Sequence, residues 1–395
     1  MTNTVPPEPL THIPPDWVTI SDYQREFCRR LPADIVAYVL GNTTLQDSNQ
    51  AALQNLSWQP NVLTVPNLQQ AIRLCNPHAA VPVDISVQQP LFVSPVAYHG
   101  LYHPDAEHAT ALACQVTASS CIWSSLANTP FDALLSPCGA QTRTSQCYFQ
   151  AIQWYWQIAP DNLTQPNIAP ILRHQRNRDY NQQLLQRWLD KDRANLPDFL
   201  VITIDAAHSG VRDFARRMNV QPPPHITTPN LPPQPVITDL PTLLANTPNW
   251  DDIAWLVVHC PVPVLLKGIL RPDDAKHALA IGCAGVVVSN HGQRVLADSV
   301  AVAQVLPSIR QAIPDAIVLA DGGVMSGSDI AKLRALGADM VGIGRAVTYG
   351  LALAGALGVA HVLRLLQEEW QITAALTGEH GLVAKNRLGG STKTV

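Results

Sequence analysis

Ala284-Gly285-Val286-Val287-Val288-Ser289-Asn290-His291-Gly292-Gln293-Arg294 joins a short apolar run to a polar turn. A valine-rich run with no polar alternation suits a strand covered on both faces, as in a parallel sheet. The turn that follows delivers a base and a cation together. His291 titrates near neutral pH, and Arg294, three residues on, carries a planar fork suited to a carboxylate or phosphate. A small acidic ligand is the reading this favours; the bland alternative is that His291 ends a strand and Arg294 is solvated.

Working outward, similar runs recur, each followed by a polar or glycine-containing turn and a helix-length segment. They are Leu91 to Pro95, Ser119 to Trp123, Tyr148 to Gln153, Leu200 to Asp205, Val262 to Lys267, Gly285 to Ser289, Ile317 to Asp321 and Met340 to Ile343. Helices are expected over Pro272–Ile281, Ser299–Ala312 and Ser326–Leu336. Such alternation demands a parallel sheet, and eight units predict a closed (β/α)8 TIM barrel with an N-terminal helical cap. A doubly wound open sheet is the alternative, but the Gly-x-Gly-x-x-Gly turn of a dinucleotide fold is missing.

The cap is expected within residues 1–90, with Ser21 and Gln24 as a capping box and a second amphipathic segment over Pro32–Leu40. The barrel is assigned to 91–375 and a tail to 376–395, all in one domain. Between Asn219 and Trp250 the chain turns proline-rich, which suits a covering loop or a disordered linker.

Composition narrows the partners. The 395 residues are 47% hydrophobic and 14% charged, with a formal net charge of −4 and no Lys/Arg run, which argues against nucleic acid or an anionic membrane. No secretion signal is visible in residues 1–15, and Leu351–Leu366 is interrupted by Gly355, Gly358, His361 and Arg364, so a buried helix is expected there rather than a membrane span. Eight scattered cysteines without a CxxC pair predict reduced thiols in a cytoplasmic protein and no metal site.

In a barrel the chemistry projects from the carboxyl ends of the strands. Ala97, Ser124, Gln150, Asp205, Lys267, His291, Asp321 and Arg345 are read at those ends in chain order. The last two strands give Asp321-Gly322-Gly323-Val324 and Gly342-Ile343-Gly344-Arg345, whose glycines let backbone N–H groups approach an anion. A phosphorylated cofactor fits there; tight helix–strand packing is the bland reading of the same glycines.

With these motifs assembled, the chain resembles the FMN-dependent α-hydroxy acid dehydrogenase/oxidase family, which includes glycolate oxidase, lactate oxidase and flavocytochrome b2. The resemblance spans roughly residues 20 to 375. It rests on Leu91-Phe92-Val93-Ser94-Pro95-Val96-Ala97, His103-Pro104-Asp105, Leu266-Lys267-Gly268, Ser289 to Arg294, Asp321-Gly322-Gly323-Val324 and Gly344-Arg345. It implies FMN as cofactor, a small 2-hydroxy acid as substrate, and oxygen, a quinone or a carrier as electron acceptor. It also implies a homo-oligomer, commonly a tetramer.

By resemblance, His291 is the base that takes the substrate hydroxyl proton, and Asp205 orients that imidazole and favours its charged form. Arg294, Arg212 and Tyr38 hold the substrate carboxylate; for Tyr38 a packed helix residue with a wet hydroxyl is the alternative. Lys267 stabilises negative charge on the flavin. Pro95, Val96, Ala97, Ser124, Gln150, Thr203 and Ser289 contact the flavin, and Asp321, Gly322, Gly323, Gly344 and Arg345 its ribityl-phosphate end.

Departures from the family pattern are also expected to matter. Where a tyrosine follows Phe149-Gln150 by two residues in the family, this chain has Ile152, a lost hydrogen-bond donor. Leu126 replaces a frequent Trp, Ala206-Ala207-His208 replaces Thr-Pro-Arg, and Met325 replaces an arginine after Asp-Gly-Gly-Val. Ile152 and Leu126 together predict a substrate larger or more apolar than glycolate. The alternatives are a flavoprotein whose hydroxy acid oxidation is weakened or lost, serving a binding role, and a non-redox barrel enzyme.

Overall fold

The computed structural model describes residues 8–41, 47–64, 71–135, 148–165, 168–189, 196–206, 217, 223, 226–232, 239–378 and 382–384. Eight parallel strands close into a barrel, each wholly or mostly buried: β4 (Leu91–Val93), β5 (Ser120–Trp123), β6 (Gln150–Tyr155), β7 (Phe199–Thr203), β8 (Val264–Ile269), β9 (Gly285–Val288), β10 (Ile317–Asp321) and β11 (Met340–Ile343). The ring is sealed where the last strand meets the first, with Ile343 opposite Val93. This is a (β/α)8 TIM barrel. Its strands are apolar on both faces because one face lines the barrel and the other lies under helices.

Strand periodicity separates the two faces. Phe92, Ile122, Ala151, Val201, Leu265, Val287, Leu319 and Met340 share one buried cluster inside the barrel, floored by Phe149 and Phe199 in edge-to-face contact at 5.4 Å. Their neighbours, such as Val93, Cys121, Ile152, Ile202, Leu266 and Val318, belong to the larger cluster under the helices. The helices start where their caps dictate: Ser326 accepts from the Asp329 amide to open Gly327–Ala335, and Pro272 begins Pro272–Ala280.

Residues before the barrel cover both of its ends. Helix α1 (Ile20–Arg30) packs along the C-terminal helix Arg345–Thr377. Its capping box is Thr19 with Asp22, two residues before the expected Ser21 and Gln24, because the Asp22 carboxylate reaches both the Thr19 amide and hydroxyl. Helices α2 (Ala33–Leu40) and α3 (Ser48–Gln54) reach the carboxyl-end mouth, where Tyr38, Val39 and Gln50 line its cavity. Strand β1 (Leu56–Trp58) pairs antiparallel with Leu382–Ala384, and at the opposite end the antiparallel pair β2 (Ile72–Asn76) and β3 (Val83–Val87) adds Leu74, Val83 and Val87 to the interior cluster, where the Asn76 side-chain amide donates to the Ala284 carbonyl.

The helix Arg345–Thr377 is long and apolar enough to cross a membrane, yet most of its apolar window is buried against the fold. It is broken at Ala354–Gly355, so Gly350 and Gly358 cross at backbone contact. The described part of the proline-rich stretch docks on the turn after β5: Asn230 donates to the Thr129 carbonyl and accepts from the Phe131 amide. Asp239 then caps a helix over Leu240–Asn246.

Candidate active site

Each interior strand position two residues beyond the apolar layer is polar or glycine, so period-2 geometry raises a ring at one level of the barrel. Ser94, Ser124, Gln153, Thr203, Lys267, Ser289 and Asp321 form it, with Gly342 where a Cβ would meet Ser94 and Phe92. Ser94 donates to Asp321 at 3.1 Å, and Lys267 Nζ sits 3.3 Å from Asp321 and donates to Ser289 at 2.7 Å. Across the ring, Ser124 donates to Gln153 Oε1 at 3.2 Å and Gln153 Nε2 to Thr203 at 3.0 Å. Lys267 is only 4% exposed, and a buried ammonium persists only with such partners.

Above the ring stands His291. Its Nδ1 lies 3.2 Å from Asp205 Oδ1, its amide donates to Ser289 Oγ at 3.1 Å, and its Nε2 faces the Tyr155 hydroxyl at 3.5 Å. Asp205 comes this close because the next strand carries Gly268, with φ +107°. A Cβ at Gly268 would stand 2.5 Å from the Asp205 Cβ. His291, Gly292 and Gln293 all have φ between 56° and 60°, two of them non-glycine, a strained turn of the kind held at functional sites. Burial pushes the His291 pKa below its ordinary value, Asp205 pulls it back and Lys267 pushes it down again. At neutral pH the imidazole is therefore neutral. With Nδ1 donating to the carboxylate, Nε2 offers its lone pair to the cavity.

Arg294 lies across the mouth. Its guanidinium donates to the carbonyls of Tyr38 (2.7 Å) and Val39 (2.8 Å) at the end of α2 and sits 5.1 Å above the Tyr38 ring. At the far side Gly322 and Gly323 turn with positive φ beneath Asn49 of α3, and a Cβ on Gly323 would meet Asn49 and Gln50 at 2.7 Å. Gly344 differs, because nothing stands within 4 Å of its missing Cβ, so backbone is open to the cavity there. Arg345 follows it and pairs with Asp47, the residue capping α3. The cavity spans about 280 Å³. Its glycine turns and guanidinium suit a phosphate, and its buried ammonium suits a ring edge that gains negative charge, so the donor set fits FMN.

Of the expected site residues, Tyr38, Pro95, Val96, Ala97, Ser124, Thr203, Lys267, His291, Arg294, Asp321, Gly322, Gly323, Gly344 and Arg345 line this cavity. Ser289 and Asp205 touch it through Lys267 and His291. Arg212 lies outside the described residues. Gln150 is a correction: it opens β6, at the floor end, where its amide donates to Asp198. Gln153 takes the ring position. Ile152 is likewise displaced, fully buried under the helices on the outer face. The tyrosine thought missing is Tyr155, because Ile152-Gln153-Trp154-Tyr155 repeats the pattern sought at Phe149-Gln150-Ala151-Ile152 three residues later. An odd shift along a strand exchanges its faces. Alternation counted from the neighbouring strands would have found Gln153 and Tyr155; Ser94 and Asp47 carried no comparable signal.

Comparison with known proteins places this arrangement. Residues 28–385 match the family model described as FMN-dependent dehydrogenase. The chain is 32% identical over 386 residues to L-lactate oxidase of Alicycliphilus denitrificans, covering 94% of this chain and 95% of that protein. It is 29% identical to Glycolate oxidase 1 of Zea mays, over 91% of each. Among solved structures, Mandelate oxidase with benzoyl-formic acid superposes with a TM-score of 0.72 at 27% identity, covering 96% of this chain and 99% of that one. The chain therefore belongs to the FMN-dependent dehydrogenase family, as a (β/α)8 flavoenzyme that binds FMN and oxidises 2-hydroxy acids.

Proposed function

We propose that the protein oxidises a 2-hydroxy acid carrying an apolar side chain larger than that of glycolate, with His291 as the base. The observation that carries this reading is the file Asp205–His291–Tyr155, standing over Lys267 at the carboxyl-end mouth. His291 Nε2 takes the substrate hydroxyl proton, and Asp205 stabilises the imidazolium that results. Tyr155 donates to the same substrate oxygen. The substrate carboxylate is held by Arg294 and Tyr38 at the mouth, a role the family resemblance also gives to Arg212, which lies outside the described residues. FMN, when bound, supplies the two-electron acceptor for the substrate C–H bond. Its ring would be held by Pro95–Ala97, Ser124, Gln153, Thr203 and Lys267, its ribityl hydroxyls by Asp321, and its phosphate by the glycine turns and Arg345.

The size preference rests on Leu126, which with Ala97 and Tyr38 adds apolar surface to the cavity that His291 also lines. With Tyr155 in place, a lost donor no longer contributes to that argument, and the non-catalytic reading loses its main support. Relatives named as oxidases support dioxygen as electron acceptor.

Anaerobic titration with glycolate, L-lactate, longer aliphatic 2-hydroxy acids and mandelate, followed at the flavin absorbance, tests the reading. Faster bleaching by L-lactate or a larger acid than by glycolate is expected. Glycolate as the fastest reductant would overturn the size preference, and no bleaching by any acid would overturn the activity. Oxygen uptake during turnover checks the acceptor.

A further inference from the structure

We propose that Asp47 competes with the cofactor phosphate for Arg345, and so sets how tightly the protein holds FMN. This rests on reading Gly344–Arg345 as the phosphate end of the cavity.

Of the three described cations lining the cavity, Lys267 sits in the strand ring beside Asp321 and Ser289, where the flavin ring is assigned, and Arg294 lies at the mouth beside α2, where the substrate carboxylate is assigned. Arg345 is the cation beside the open Gly344 backbone, and Met325 on the facing turn adds no charge. The Asp47 carboxylate, itself on the cavity wall, pairs with Arg345 through Oδ2. Through Oδ1 it accepts from the amides of Asn49 and Gln50, at 3.0 and 3.2 Å, which fixes the side chain as the cap of α3.

Asp47 is poorly placed to swing away, because the residue two positions on anchors the helix. Asn49 exchanges hydrogen bonds with Asn290 at 2.8 and 3.0 Å, accepts from the Val302 amide, and lies against Gly322 and Gly323. A phosphate arriving at Arg345 therefore meets a fixed negative charge on the same guanidinium. It must share the cation or displace the carboxylate, and either weakens its binding.

Asp47→Asn removes the charge and retains the cap, since Asn serves that position as well as Asp. FMN-stripped full-length protein and this variant are titrated with FMN and with riboflavin, which lacks the phosphate, by quenching of flavin fluorescence. The variant is expected to bind FMN about tenfold more tightly or better, a difference that shrinks as salt is raised. Riboflavin affinity is expected to stay within about twofold. FMN affinity that is unchanged or weaker in Asp47→Asn, or a gain shared equally by riboflavin, overturns the proposal. Wild-type protein that discriminates FMN from riboflavin while Asp47→Asn leaves that discrimination unaltered keeps the phosphate assignment and removes only the role of Asp47. Loss of discrimination in Arg345→Gln checks the assignment itself.

Discussion

Tyr155 and Ile152 stand three positions apart on one strand and face opposite sides of the barrel wall, so their substitutions separate chemistry from packing. Tyr155→Phe removes one hydrogen bond to the reacting oxygen, about 1–3 kcal/mol, and is expected to lower kcat/KM by about 10- to 100-fold with an intact flavin spectrum. Ile152→Ala opens a void beneath the helices, costing about 2–5 kcal/mol of stability, and should lower Tm while leaving KM near its wild-type value. Steady-state kinetics and thermal melts of the pair distinguish the two faces.

The pH dependence belongs to His291. Because burial lowers its pKa, the base stays neutral to a pH below the ordinary histidine value of 6.5, and kcat/KM is expected to drop only on that acid side. Asp205 raises the same pKa, so Asp205→Asn should move the acid limb lower still while reducing the plateau. A limb at or above 6.5 in the wild type would contradict the burial argument. His291 itself was legible from its turn. Gln150 was not: Phe149-Gln150 imitates a motif whose place is fixed by which face a residue occupies, and a local pattern carries no such information.

At the scale of elements, the end of β6 is held by a buried amide network. Trp154 Nε1 donates to Asn181 Oδ1 at 2.9 Å, Asn181 accepts from the Gln157 amide and donates to the Gln157 carbonyl, and Gln157 Nε2 donates to the Tyr155 carbonyl at 2.6 Å. Asn181→Leu conserves volume yet strands these groups, at about 1–3 kcal/mol for each polar group left unpaired. A lower Tm, together with a loss of kcat approaching that of Tyr155→Phe, is expected from melts and turnover assays. Strand positions were readable because valine-rich runs alternate with capped helices, as at Ser326. The end of β6 was not, since it carries glutamines at both 150 and 153 and a strand buried on both faces does not show locally which of them faces the barrel interior. The α1 start has a related origin: Ser21 is by type the better cap, and the Asp22 side chain, which bonds both the amide and the hydroxyl of Thr19, moves the start two residues earlier.

At the scale of the whole molecule, the barrel followed from counting strand–turn–helix units, but the covering of its two ends did not. The β2–β3 pair closes the floor and α2–α3 the mouth through contacts between residues more than 200 positions apart, such as Asn49 with Asn290 and Asn76 with Ala284. Such partners leave no periodic trace in the chain.

The seam between β4 and β11 joins positions 91–93 to 341–343. Ring closure, and with it Gly344 and Arg345, therefore waits for almost the whole polypeptide to leave the ribosome, and flavin capture is a late event of biosynthesis. Nascent chains stalled before residue 340 should remain colourless and protease-sensitive when FMN is supplied, whereas released chains acquire both pigment and resistance. Pigmented chains of the stalled length would show that a partial cylinder already suffices.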